Sequence, residues 1–521
     1  MRALGTLGQV STLEPPTAPA NAPAGDTTNT QNLASNSDIG ATHDLVSALA
    51  QAERTVLDLA PTLTPLAAAF KQRGESLYLV GGSVRDALLG RLGHDLDFTT
   101  SALPEVINEI LQGYSKTVWD IGIEFGTVAA EKDGHQIEIT TFRADLYDGI
   151  TRNPEVTFSQ TLEEDLIRRD FAVNAMAIEL GIADTGELVV SFHDPIGGLK
   201  DLKNGLLDTP AAPEISFQDD PLRMLRAARF VSQLGFAVAP RVVQAMHDMN
   251  AEIKRITVER IQVELDKLML GVAPWQGWDL LVNTGIAAHI MPEVADLRLA
   301  VDEHLQHKDV YAHSMTVLRQ AMDQEEPGQP DLILRWAALL HDCGKPDTRA
   351  AKPGGGVTFY NHEVVGARLV RRRFRKLHYS KAVTQQVAQL VFLHMRFYGF
   401  SDSNWTDSAV RRYVADAGEL LPRLHKLTRA DVTTRNQRKA QKLRKAYDTL
   451  ELRIADIQER EGIAAVRPDL NGNEIMELLG LKPGPEVGAA WSFLKELRLD
   501  EGPLPREEVI QRLLQWWNSR K

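Results

Sequence analysis

The expected β-strands of this 521-residue chain all fall between residues 77 and 192, and almost everything after residue 215 repeats at helical spacing. That segregation constrains the fold more than any other feature. Strands gathered in one window and followed by helices give an α+β protein, a small mixed domain ahead of an all-α remainder. Strands are expected at LYLV (77–80), DLDFTT (95–100), GTVAAE (126–131), QIEITTF (136–142) and LVVSF (188–192). Helices are expected near 83–90, 103–113 and 161–177. Helical periodicity begins earlier, at Leu45, in LVSALAQAERTVLDLAPTLTPLAAAF.

A chain of this length exceeds one compact core, so three or four domains are expected. Residues 1–43 are rich in Pro, Ala, Thr, Asn and Ser without periodicity and are expected to be disordered. EPGQP (326–330), PGGG (353–356) and PGP (483–485) mark loops or boundaries. A net charge of −12 argues against indiscriminate nucleic-acid binding but leaves room for a local basic face. The one cysteine, Cys343, excludes an intrachain disulfide and fits a reducing cytosol. No stretch is long and apolar enough to span a bilayer, and the N-terminus lacks a secretory pattern. A cytoplasmic protein without a membrane partner is expected.

The densest chemistry lies in LYLVGGSVRDALLGRLGHDLDFTT, residues 77–100. Gly81 and Gly82 follow a hydrophobic strand and precede a helix, where bare backbone N–H groups can approach a phosphate. No Gly-Lys-Ser/Thr follows, so this is not a Walker loop. Asp95 and Asp97 share one strand face. Two carboxylates so close repel unless a cation lies between them, and Mg²⁺ prefers such ligands. Glu138, between Ile137 and Ile139, faces the same way and offers a third carboxylate for two-metal phosphoryl transfer. RRDFAVNAMA follows, with Arg168, Arg169, Asp170 and Asn174, and paired arginines suit triphosphate oxygens.

The order Gly-Gly-x-Val-Arg-Asp, Asp-x-Asp, Glu-Ile-Thr-Thr-Phe-Arg and Arg-Arg-Asp-Phe-x-x-Asn-Ala-Met resembles class II CCA-adding enzymes and bacterial poly(A) polymerases, members of the nucleotidyltransferase β superfamily. The likeness runs from about residue 75 to 270. It implies that Asp95 and Asp97 hold Mg²⁺, with Glu138 as the third catalytic carboxylate. It also implies that Gly81, Gly82, Arg85, Asp86, Arg143, Arg168, Arg169, Asp170 and Asn174 form the nucleotide pocket.

QDDPLRMLRAARF (218–230) carries a second constellation. If one helix spans it, Asp219 and Asp220 fall four and three residues before Arg223 on one face, and Pro221 suits the first turn. Cytosine and adenine both present an amino donor beside an unprotonated ring nitrogen, whereas uracil and guanine present the reverse. A carboxylate accepts from the amino group and an arginine donates to the ring nitrogen, so an Asp/Arg pair favours C and A. The stretch resembles the family's Glu-Asp-x-x-Arg nucleotide-reading motif, with Asp219 in place of Glu. Asp220 and Arg223 are therefore expected to read the base, with Asp219, Arg226 and Arg229 also expected to bind the nucleotide. ERIQVELDKLM (259–269) resembles the next helical motif, where Glu259 and Arg260 are expected to brace the helix.

In the helical half, His341-Asp342 closes the apolar run LRWAALL, with His313 upstream and His362, His394 and Asp431 downstream. Each lies among apolar neighbours at helical spacing that would aim it inward. Imidazole and carboxylate together suit Mn²⁺, Ni²⁺, Fe²⁺ or Mg²⁺. His313, His341-Asp342 and Asp431 resemble the HD superfamily of metal-dependent phosphohydrolases. By that likeness His362 and His394 supply the extra ligands of a dinuclear site, and Lys345 contacts a phosphate. GARLVRRRFRKLHYSK (366–381) and TRNQRKAQKLRKAY (434–447) are basic islands that suit RNA phosphates.

The resemblance divides the chain into a polymerase β-like head (44–192), an all-α neck (193–295), an all-α HD domain (296–450) and a helical C-terminal region (451–521). It implies template-independent addition of CMP and AMP to the tRNA 3′ end from CTP and ATP. Addition of A alone, of CC alone or of poly(A) uses the same residues. An HD phosphohydrolase as the main activity and a non-catalytic RNA-binding module are the readings of other classes.

Overall fold

The computed structural model describes residues 45–122, 126–146, 155–159, 161–298, 309–351, 356–397, 405–434, 436–461 and 468–520. The segment expected to be disordered, 1–43, lies outside the described residues, as do 353–355 of the PGGG loop.

The head is built on strands β1 (Leu77–Val80), β2 (Asp95–Thr100), β3 (Thr117–Gly122), β4 (Thr127–Lys132) and β5 (His135–Thr141). A separate antiparallel ribbon of β6 (Arg143–Leu146) and β7 (Glu155–Phe158) follows, and then β8 (Ala177–Ile182) and β9 (Leu188–His193). Seven of these form one sheet in the order β3-β4-β5-β2-β1-β8-β9. Only β2 and β5 run parallel, in a register that sets Asp97 opposite Glu138. Leu96, Phe98, Ile137 and Ile139 alternate with these carboxylates and are buried, which fixes the register because a one-residue slip would bury the acids. Helices Leu45–Leu57, Ala60–Gln72 and Pro104–Tyr114 pack against the sheet.

The helix expected over 161–177 is not continuous. It stops at Ile167, a single 3₁₀ turn occupies Ala172–Asn174, and β8 begins at Ala177. The Asp170 carboxylate accepts from the Phe171 N–H and from Asn174 Nδ2, a local turn that competes with the helix ladder. β8 then pairs with both β1 and β9. Its sequence, AIELGI, has too short an apolar pattern for periodicity to separate strand from helix.

The neck packs helices Leu222–Leu234, Val258–Met269 and Pro274–Asn283 around Leu225, Ala228, Leu265, Leu268 and Trp278. Backbones meet closely there: a Cβ on Gly277 would lie 2.6 Å from the Ala228 carbonyl oxygen. The HD unit follows, with helices Val310–Met322, Leu332–Leu340, His362–Lys376, Lys381–Leu393 and Leu421–Ala430. Trp278 of the neck meets Trp336 of the HD unit edge to face at 6.0 Å. Buried Arg335 donates to the Met269 and Gly271 carbonyls, where the Val258–Met269 helix ends. One apolar core therefore runs from Ala52 to Ile457, while Leu470, Ile475, Ala490, Leu494, Val509 and Leu513 form a second, small core. The Gln437–Glu461 helix passes through residue 450, so the boundary expected there falls inside a helix.

Both basic islands are helical. Arg368, Arg371, Arg372, Arg375 and Lys376 are exposed on the His362–Lys376 helix, while Arg373 turns inward to Glu293 at 2.8 Å. Arg438, Lys439, Lys442, Arg444 and Lys445 are exposed on the Gln437–Glu461 helix.

Candidate active sites in the head and the HD unit

A cavity of about 440 Å³ opens between the head sheet and the neck. Its walls bring together Asp97 and Glu138 from β2 and β5, Arg168 and Arg169 from the loop before β8, and Asp220 and Arg223 from the neck. Residues separated by more than a hundred positions thus face one space.

The carboxylate end is electrostatically loaded. Asp97 is pushed up to about 6 by loss of hydration inside the cleft and by the negative charges of Glu138 and Asp95, against the pull of Arg169 and Arg226. Gln136 Nε2 donates to Glu138 Oε1 at 2.8 Å and orients it. Asp95 is exposed at the start of β2, outside the cavity lining. Asp95, Asp97 and Glu138 lie on one sheet face, and a divalent cation held there would relieve the repulsion that lifts Asp97. Gly81 has φ +68°, and a Cβ there would sit 3.2 Å from Arg169 Nη1 and 3.7 Å from Asp97 Oδ2. The positive φ favours glycine at this turn, and a side chain there would crowd the Arg169 guanidinium.

Arg168 and Arg169 are aimed by Asp165, a fully buried carboxylate that accepts from them at 3.0 and 2.9 Å. Asp165 stands three and four residues ahead of them, a spacing already legible as helical neighbours. Arg143 also lines the cavity and donates to Thr127 Oγ1 at 2.8 Å.

Other expected pocket residues lie behind the wall. Arg85 is buried, chelates Asp86 at 3.0 and 2.9 Å and donates to Asn174 Oδ1 at 2.8 Å. Asp170 is held well below the usual carboxylate range by Arg226, Asn174 and the Phe171 N–H, which outweigh the cost of burial. Arg226 donates to it at 2.7 Å, and Arg229 pairs with Glu264 at 3.1 Å. The guanidinium carbons of Arg85, Arg226 and Arg229 all stand within 5.5 Å of the Phe230 ring centroid. This network ties the head to the neck. Of its members, Asp170 and Arg226 reach the cavity surface, while Arg85, Asp86, Asn174 and Arg229 do not line it.

The neck end of the cavity departs from the expected single helix. Asp219 closes the Pro213–Asp219 helix outside the cavity lining, and Asp220 sits between that helix and the next. Asp220 Oδ1 accepts from the Leu222 N–H at 3.1 Å, at the first residue of the helix that carries Arg223. Arg223 donates to Ser216 Oγ at 2.8 Å and to the Arg168 carbonyl. Asp220 Oδ2 takes Arg260 at 2.7 Å, and Arg260 lines the cavity. The bracing role expected of Arg260 thus gives way to a place at the site, while Glu259 meets His378 of the HD unit at 2.6 Å.

In the HD unit the six expected ligands converge. His313 Nε2 lies 3.4 Å from Asp342 Oδ2 and 3.0 Å from Asp431 Oδ1, and His341 Nε2 lies 3.3 Å from Asp342 Oδ2. The other oxygen of Asp342 faces His362 and His394 at 3.3 and 3.9 Å. Asp342 therefore stands between two ligand triplets, His313–His341–Asp342 and Asp342–His362–His394. Each ring is anchored through Nδ1: His341 on the Ala338 carbonyl, His362 on Phe359, His394 on Val391 and His313 on Thr433 Oγ1. That leaves the four Nε2 atoms facing Asp342 in two pairs, one on each carboxylate oxygen, an arrangement typical of metal-ligating imidazoles. Nε2 atoms 3.2 and 3.3 Å apart fit ligands sharing one ion at bond lengths near 2.1 Å. Burial pulls the His341 imidazole down, but Asp342 and Asp431 outweigh it and hold it up to about 10. Burial and the charge of His341 push His394 down to about 4. Four imidazoles and two carboxylates so placed are a donor set that fits divalent metal. Lys345 lies 2.6 Å from Asp342 Oδ2 and, with Lys439, lines the adjoining cavity of about 310 Å³.

Among the described residues, no helix is long and apolar enough to cross a membrane. Residues 77–208 match the poly(A) polymerase head domain, 235–297 the probable RNA- and SrmB-binding site of polymerase A, and 310–457 the HD domain. The chain is 41% identical over 239 residues to a CCA-adding enzyme of Levilactobacillus brevis, covering 46% of this chain and 57% of that one. It is 36% identical over 368 residues to the A-adding tRNA nucleotidyltransferase of Deinococcus radiodurans, covering 69% and 80%. The fold superposes on the crystal structure of the Bacillus stearothermophilus CCA-adding enzyme in complex with CTP with a TM-score of 0.61, at 26% identity over 88% of this chain and 98% of that one. With the metal-ready carboxylates, the paired arginines and the HD centre in that same order, the chain belongs to the family of tRNA nucleotidyltransferases and poly(A) polymerases.

Proposed function

We propose that the protein adds CMP and AMP, without a template, to the 3′ end of tRNA, using CTP and ATP and releasing pyrophosphate. The observation that carries this reading is the single cavity that unites Asp97 and Glu138, Arg168 and Arg169, and Asp220 and Arg223. Asp95 and Asp97 would hold Mg²⁺, with Glu138 as the third carboxylate, and the ion would supply charge neutralisation for the triphosphate and activation of the attacking hydroxyl. Arg168 and Arg169, braced by Asp165, grip triphosphate oxygens. Asp220 accepts from the exocyclic amino group of C or A, and Arg223 donates to the adjacent ring nitrogen. The tRNA 3′-hydroxyl then attacks the α-phosphorus in line, the bond between the α- and β-phosphates breaks, and pyrophosphate leaves. The single cysteine and a tRNA substrate support a cytoplasmic location.

A-only addition is the second reading, supported by the longer alignment with the Deinococcus radiodurans A-adding enzyme, 368 residues against 239. For the HD centre we propose an accessory metal-dependent phosphohydrolase activity, with Lys345 and Lys439 facing the phosphate. Purified protein incubated with tRNA lacking its last three nucleotides tests the main reading. Addition of exactly CCA with both nucleotides supports it. Growth only on tRNA already ending in CC points to A addition, and long A tails with ATP alone sink CCA addition.

A further inference from the structure

We infer that Arg260 is the positioning residue that gives the base-reading carboxylate its selectivity, and that the HD unit holds Arg260 in place. This rests on the reading that Asp220 and Arg223 recognise the base. Arg223 is pinned twice, by Ser216 and by the Arg168 carbonyl. Asp220 has one oxygen spent on the Leu222 N–H and the other on Arg260 at 2.7 Å. An ionised carboxylate has about four acceptor positions, so these two bonds fix its plane and leave positions on both oxygens for an incoming amino group.

Selectivity depends on that fixity. Against uracil or guanine, a carboxylate held in place faces a carbonyl oxygen, and the mismatch is costly. A carboxylate free to rotate can swing out and admit water, which relaxes the rejection. Arg260 comes from the Val258–Met269 helix, which is clamped from the far side: Glu259 meets His378 at 2.6 Å, and Asp266 accepts from Tyr379 at 2.6 Å. Base reading and HD packing therefore share one helix.

The test compares incorporation of CTP, ATP and UTP by the full-length protein on tRNA lacking its terminal nucleotides. Arg260→Ala is expected to lower the CTP/UTP ratio of kcat/KM by about ten- to hundredfold, the range of one missing bond to a charged group. Arg260→Lys is expected to restore part of it. His378→Ala is expected to shift the ratio in the same direction but less. Asp220→Asn distinguishes the two levels of the argument. If Asp220→Asn relaxes selectivity and Arg260→Ala, at unchanged Tm, does not, the inference is wrong and the base-reading pair stands. If Asp220→Asn leaves the ratio unchanged, the reading beneath it fails. A general loss of rate in Arg260→Ala with an intact CTP/UTP ratio also overturns the inference.

Discussion

Asp97 stands two residues after Asp95 on one strand, with Glu138 opposite it on β5, and its carboxyl is pushed up to about 6. A raised acid means the folded state holds a proton that the unfolded chain has released. Ionising Asp97 therefore costs stability as pH rises from the ordinary carboxylate range through about 6, and the cost is fully present above that. A bound cation offsets it. The Mg²⁺-induced gain in Tm is expected to be larger at about pH 7.5 than at about pH 5.5, and Asp97→Asn is expected to remove this difference. Equal gains at both values in the native protein and the variant would count against Asp97 as a ligand.

Among elements, the HD centre depends on how closely two segments approach. A Cβ on Gly344 would lie 2.1 Å from the His362 carbonyl oxygen and 2.6 Å from the Gly366 nitrogen. Gly344→Ala must push the His362–Lys376 helix away from His341-Asp342. Overpacking of this kind costs about 1–3 kcal/mol, and here it also parts the two ligand triplets. The variant is expected to lose stoichiometric HD metal, read by elemental analysis, while nucleotide incorporation persists. Full metal content would show that the two segments have room to spare. The sequence made most of these elements legible. DLDF alternates, LYLV is a short apolar run, and the histidines set among apolar helical neighbours do converge. What it hid was tertiary: β8 became a strand because β1 and β9 were there to pair with it. Arg260 read as a brace because nothing in its own helix reveals that Asp220 lies across the cavity. Arg85 and Asp86 matched a pocket motif, yet face one another behind the wall.

At the scale of the whole molecule, a net charge of −12 coexists with a ridge of exposed cations, Arg368, Arg371, Arg372, Arg375 and Lys376, on one HD helix. Local charge decides binding to a phosphate backbone, so the global balance does not preclude a tRNA. Replacing Arg368, Arg371 and Arg375 together by Gln is expected to weaken tRNA binding. The slope of log K against log salt should become shallower by about 0.7–0.9 for each phosphate that is no longer neutralised. An unchanged slope would move the RNA track elsewhere, the Gln437–Glu461 helix being the other basic face.

Arg335 reaches from the HD unit to cap the end of a neck helix, and Trp336 beside it completes the neck's own core. The consequence is historical. A lineage with no use for the metal chemistry could let His313, His341 or Asp431 drift, yet it could not excise the domain without exposing Trp278 and the apolar neck residues packed around it. The HD unit is expected to persist in descendants of this chain even where its histidines and aspartates erode, with its Arg335–Trp336 face retained.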